Sequence, residues 1–147
     1  APSGTEAQPA QPSSQQEPPG FQVGQAIPLG DGVYTVHGAR PIEGNALFRP
    51  VAGNRWIAVE ITVENRGSRP VMLDASVGFA LRDKDGYTYG ATPVPVETNG
   101  ELGGSLDPGQ LKRGEITFEV PAEATGLELV IDGGIFGAGP VAVRLGL

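Results

Sequence analysis

The chain has 147 residues, with 23 Gly, 14 Pro, no Cys, one His and one Trp, and 17 acidic against 10 basic side chains. Glycine and proline both interrupt helices, and here they make up about a quarter of the residues, which excludes a mainly helical protein. The absence of Cys excludes a thiol nucleophile, a disulfide framework and a Cys-based zinc site, and a net charge of −7 with scattered basic residues argues against a nucleic-acid partner.

Residues 1–20 hold five Pro, four Gln and three Ser, and no Val, Ile, Leu, Met or aromatic side chain. Such a stretch cannot bury enough apolar area to offset its ordering entropy, so it is expected to be an extended Pro/Gln/Ser-rich tail or linker. A tether is the preferred reading; a tail that orders only against a partner subunit is the alternative. A chain starting at Ala1 with such a run is also what cleavage of an export signal, or a comparable trimming, leaves behind.

From Phe21 onward the pattern has period two. Strands are expected at 22–28 and at 32–36, with Val33, Thr35 and His37 on one face and Tyr34 and Val36 on the other. The most regular strand covers 56–64, where Ile57, Val59, Ile61 and Val63 alternate with Trp56, Ala58, Glu60, Thr62 and Glu64. Trp56 shares a face with Glu60 and Glu64, yet so large a ring is expected to be covered. Further strands follow at 70–74, 77–82 and 87–91, while 93–105 reads as a long Gly-rich connection. Residues 115–120 place Ile116, Phe118 and Val120 opposite Glu115, Thr117 and Glu119, and strands at 127–131 and 141–145 close the chain. Turns separate these elements at 65–68, 83–86, 107–109 and 132–134. Short alternating strands with frequent turns predict an all-β fold, an antiparallel β-sandwich over 21–147, with Trp56, Phe79 and Phe118 in the packing between the sheets. No stretch approaches the ~20 apolar residues of a membrane span.

Four blocks taken in order resemble a known family: Trp56 to Asn65 (WIAVEITVEN), Phe79 to Tyr89 (FALRDKDGYTY), Leu106 to Gly109 (LDPG) and Arg113 to Pro121 (RGEITFEVP). They look like a large bacterial family of exported proteins, many of them lipoproteins, known only as a domain of unknown function. That family is similar in fold to the immunoprotective extracellular protein, an immunoglobulin-like sandwich. Val23-Gly24-Gln25 and the strand after it match the family's opening, and the resemblance covers roughly residues 21–132. It implies an immunoglobulin-like fold and export, and it supplies no catalytic residue. The Cys that carries lipid in many members is missing from this sequence, so lipid anchoring stays open.

Candidate site residues are few. Asp83-x-Asp85-Gly86 resembles the start of a calcium loop, but the residues that follow are Tyr87, Thr88 and Tyr89 rather than further ligands. A hairpin turn in which Asp-Gly supplies positive φ explains the same letters and is preferred. His37 has no second His and no recognisable nucleophile beside it, and reads as structural. Residues 133–139 resemble a phosphate loop only in glycine count and read as a loop between strands. Tyr34, Tyr87 and Tyr89 form either an exposed ligand platform or, preferably, cross-strand packing.

A non-enzymatic extracellular or cell-surface protein is therefore expected, with no catalytic residue, no cofactor, and a protein partner or copies of itself as ligand. An adhesion or interaction module using end loops is preferred. The alternatives are a structural subunit of an extracellular filament or assembly, held by tail or strand exchange through Phe21, Val23 and Ile27, and a small-ligand carrier. A weak hydrolase is disfavoured because no catalytic constellation is recognisable.

Overall fold

A computed structural model describes residues 20–74, 76–94, 100–132 and 140–147. Two main sheets carry the fold. In the first, β2 (Ala26–Leu29), β3 (Gly32–Ile42), β4 (Asn54–Asn65) and β9 (Leu111–Pro121) lie side by side in that order, all antiparallel. The second has the order β1-β11-β10-β6-β7, from β1 (Gly20–Gln22), β11 (Val141–Arg144), β10 (Glu128–Ile131), β6 (Phe79–Arg82) and β7 (Thr88–Gly90). A separate ribbon pairs β5 (Val71–Asp74) with β8 (Gly103–Leu106). No helix occurs among the described residues, and the fold is the expected all-β, immunoglobulin-like sandwich.

Period-two alternation explains the core. Ile57, Val59, Ile61 and Val63 of β4 are completely buried and face Ile116, Phe118 and Val120 of β9 and Tyr34 and Val36 of β3 on the same inner face. Leu81, Leu129, Ile131 and Val143 meet them from the opposite sheet. Burying each such side chain contributes about 1.5–3 kcal/mol, which makes the alternating strands the main source of stability. At the far end of β4, the buried side chain of Asn65 organises the turn. Its Nδ2 donates to the Arg69 and Leu106 carbonyls at 2.8 and 3.0 Å, and its Oδ1 accepts from Gly67 N–H at 2.9 Å.

The structure departs from the sequence expectations in four places. The single strand expected at 22–28 is two strands in different sheets, because a turn closed by Gln25 N–H on the Gln22 carbonyl sends the chain across the sandwich. β1 also runs parallel to β11, so the second sheet is mixed rather than antiparallel, and Gly20 belongs to this strand, not to the tail. The connection expected at 93–105 contains β8, whose Gly-Gly-Ser-Leu sequence shows no alternation but finds a partner in β5. Finally, Trp56 is only 4% exposed, yet it lies outside the main core, in a small outer cluster with Ile42, Ala58 and Val94. The expectations for the tail (1–19) and for the Gly-rich loop at 133–139 lie outside the described residues.

Candidate interaction site

Strand directions gather several loops at one end of the sandwich. β3 ends and β4 begins there, with Ile42 opposite Trp56 and Asn54 opposite Pro121. The β6–β7 turn joins them, since Lys84 N–H donates to the Thr125 carbonyl in the β9–β10 connection. Gly20 pairs with Ala142 near the start of β11, and β11 runs toward this loop end, so the chain enters the domain from the opposite side.

The β3–β4 loop at this end is strongly fixed. Asn45 Oδ1 accepts from the N–H groups of Leu47 and Phe48, both at 2.8 Å, and Asn45 N–H donates to the Phe48 carbonyl at 2.7 Å. Asn side chains favour such local turns because their short amide reaches the backbone two residues on. Gly44 is required by close approach, since a Cβ there would stand 2.3 Å from the Phe48 carbonyl oxygen. The base of the loop is tied to β9 by Glu119. Its carboxylate accepts from Trp56 Nε1 at 2.9 Å, Asn54 Nδ2 at 2.8 Å and Val51 N–H at 3.1 Å. The Asn54 and Trp56 donors hold the Glu119 carboxyl below the usual carboxylate range against a smaller desolvation effect. On this frame Leu47, Phe48 and Val51 are 84%, 45% and 67% exposed. Tyr87 stands exposed in the neighbouring β6–β7 turn.

Asp83 shapes that turn. Its Oδ1 accepts from Asp85 and Tyr87 N–H, at 2.9 and 3.0 Å, and its Oδ2 accepts from the Tyr89 hydroxyl at 2.8 Å. Desolvation raises the Asp83 carboxyl, but the bonds from Tyr89, Tyr87, Asp85 and Gly86 outweigh it and leave it below its ordinary value. Asp85 instead reaches the Lys84 ammonium at 3.4 Å in solvent. Gly86 has φ 91°, the backbone conformation for which the Asp-Gly pair was read. Among the described residues no three His, Asp or Glu side chains gather as a metal site. The three tyrosines form no platform. Tyr34 is in the core, edge-on to Phe79 at 6.0 Å, Tyr89 bonds Asp83, and Tyr87 points to solvent.

A polar group on the outer face of the β3–β4–β9 sheet was not legible in the sequence. Glu115 is buried and takes a two-pronged contact from Arg40, with Nε to Oε2 at 3.1 Å and Nη2 to Oε1 at 3.0 Å. Beside it, Arg113 Nε donates to Glu60 Oε2 at 2.7 Å. The register shift between Val36 and Gly38 puts Arg40 on this face, because skipping His37 inverts the parity of the rest of β3. His37 is exposed and meets the Thr62 hydroxyl at 2.7 Å. The polar alternation of β4 and β9 foretold a charged face, but the bulge that completes it left no mark in the pattern.

The three residues considered for contact between copies have different fates. Ile27 is buried in this chain's own core, and Phe21 pairs with Val143 and packs against that core. Val23, in the turn between them, is exposed.

The family model for the Domain of unknown function (DUF4352) matches residues 21–141, and the chain belongs to that family. No curated protein matches the sequence. Among solved structures, the yjhA protein from Bacillus subtilis is similar with a TM-score of 0.70 and 19% identity, over 84% of this chain and 98% of that one. MPT63, a secreted protein from Mycobacterium tuberculosis, gives 0.63 and 18% over 88% and 98%. The Bacillus subtilis protein ycdA, provisionally named a lipoprotein, gives 0.63 and 14%, and this chain covers 82% of itself but only 38% of ycdA. At these identities the likeness is one of fold.

Proposed function

We propose that this DUF4352 member is a non-enzymatic exported β-sandwich that works as an interaction module, docking a protein partner through its β3–β4 loop. The observation that carries the reading is the loop itself: Leu47, Phe48 and Val51 are exposed on a backbone already fixed by Asn45, Gly44 and Glu119. Apolar anchors held in their bound geometry lose little conformational entropy on docking, which is how small contact patches reach useful affinity. Their place at the end opposite Gly20 suits a domain tethered by its N-terminal segment. Export is supported by the secreted MPT63 and by the provisional lipoprotein name of ycdA. The absence of catalysis is supported by the engagement of the candidate groups: Asp83 in its turn, His37 with Thr62, and the outer carboxylates with arginines. A subunit held by exchange of Phe21 to Ile27 is the weaker reading, because β1 and β2 already pair within their own chain.

Photo-crosslinking on the native cell envelope tests this. A photoreactive residue at position 47 is expected to give a discrete protein adduct. The same residue at position 111 is the control, because Leu111 is also an exposed leucine but sits at the opposite end, beside Glu64. Equal labelling at both positions, or no discrete adduct at 47, removes the reading.

A further inference from the structure

We propose that the cleft between the β5–β8 ribbon and β9 binds a small amphiphile with an apolar body and a cationic amine. The cleft encloses about 460 Å³, within the size range of small-molecule sites. Its apolar lining includes Leu73, Leu102 and Ile116, all nearly fully buried, together with Ala91 and Pro93. The exposed thioether of Met72, a side chain that adapts readily to a guest, stands beside them.

The polar groups of the cleft select the charge of the guest. The Thr117 hydroxyl is spent on the Thr92 carbonyl, and the Ser76 hydroxyl on Asp74 Oδ1. Among the described residues of the lining, the ionisable side chains that remain accept rather than donate. Asp74 takes both Ser76 donors on Oδ1, and among the described residues its Oδ2 and the Glu101 carboxylate have no basic partner. Those bonds from the Ser76 hydroxyl and N–H hold the Asp74 carboxyl below its ordinary value. Lys112 does not line the cleft, and its ammonium is engaged by the Gly103 carbonyl at 3.2 Å. Two carboxylates beside an apolar floor favour a ligand that brings its own N–H groups and positive charge, and they disfavour an anion of the same shape.

The test uses 2-phenylethylammonium against 3-phenylpropionate, followed through amide NMR shifts of the whole chain. The amine is expected to give saturable shifts centred on Leu73, Ala91, Leu102 and Ile116, and the carboxylate to bind at least about tenfold more weakly. Asp74→Asn with Glu101→Gln changes only exposed side chains and is expected to weaken amine binding about tenfold with the spectrum otherwise intact. Met72→Lys, which sets an ammonium at the cleft, is expected to weaken it similarly while sparing the fold. Absence of saturable shifts, equal affinity for the two probes, or amine binding unchanged in both variants overturns the proposal. The outcome is independent of what the β3–β4 loop docks.

Discussion

Replacing Glu119 by Ala removes one acceptor from three donors at once: Trp56 Nε1, Asn54 Nδ2 and Val51 N–H. The donors are not equal. Trp56 is buried, so its indole N–H is left without a partner, at a cost of about 1–3 kcal/mol. The Asn54 bond is half-buried and the Val51 bond open to solvent, and since neither donor is fully cut off from water they add only about 0.5 kcal/mol each. A total of about 2–4 kcal/mol is a large part of the stability of a domain this size, and corresponds to a Tm lower by about 8–16 °C. Urea unfolding of E119A, W56F and the double variant measures the shared bond directly, with a coupling of about 1 kcal/mol expected from the cycle. Because the folded Glu119 carboxyl lies below its ordinary value, its contribution is present above the ordinary carboxylate pKa and is lost as pH falls through the folded one. Glu119→Gln should therefore flatten the acid limb of the stability curve. An E119A protein within about 0.5 kcal/mol of wild type, or a cycle without coupling, would refute this account of the loop's anchorage.

Burial and, behind it, the charge of Asp132 push Tyr34 up to about 12, from 10.0. The unfolded chain ionises first, so stability is intact below pH 10 and falls by about 2–3 kcal/mol as pH rises toward 12. Alkaline denaturation of Tyr34→Phe, which lacks that limb, checks this; identical pH profiles would contradict it. Since Asp83 is engaged on both oxygens, calcium or a chelator should leave Tm unchanged, and a calcium-dependent rise abolished by Asp85→Asn would revive the metal reading. Deletion of 1–19 should leave Tm and the oligomeric state unaltered, because β1 begins at Gly20. A full-length protein that assembles, and a truncated one that stays folded but does not, would favour the intersubunit tail.

Sequence alone determined the fold class and most strands, because period-two alternation in 32–36, 56–64 and 115–120 is a local consequence of pleating and appears wherever one face is buried. It also determined the Asp83–Gly86 turn, whose donors and acceptors lie within a few residues of one another. The tertiary structure decided what depends on distant partners. β8 is a strand because β5 lies beside it, and residues 22–28 divide between sheets because β11 and β3 each offer an edge. Arg40 reaches Glu115 only because a bulge inverts the parity of β3, a change of one residue in register that composition cannot express. The same holds for the exposed loop. Leu47, Phe48 and Val51 read as ordinary apolar letters until Glu119, 68 residues after Val51, fixes the base on which they stand.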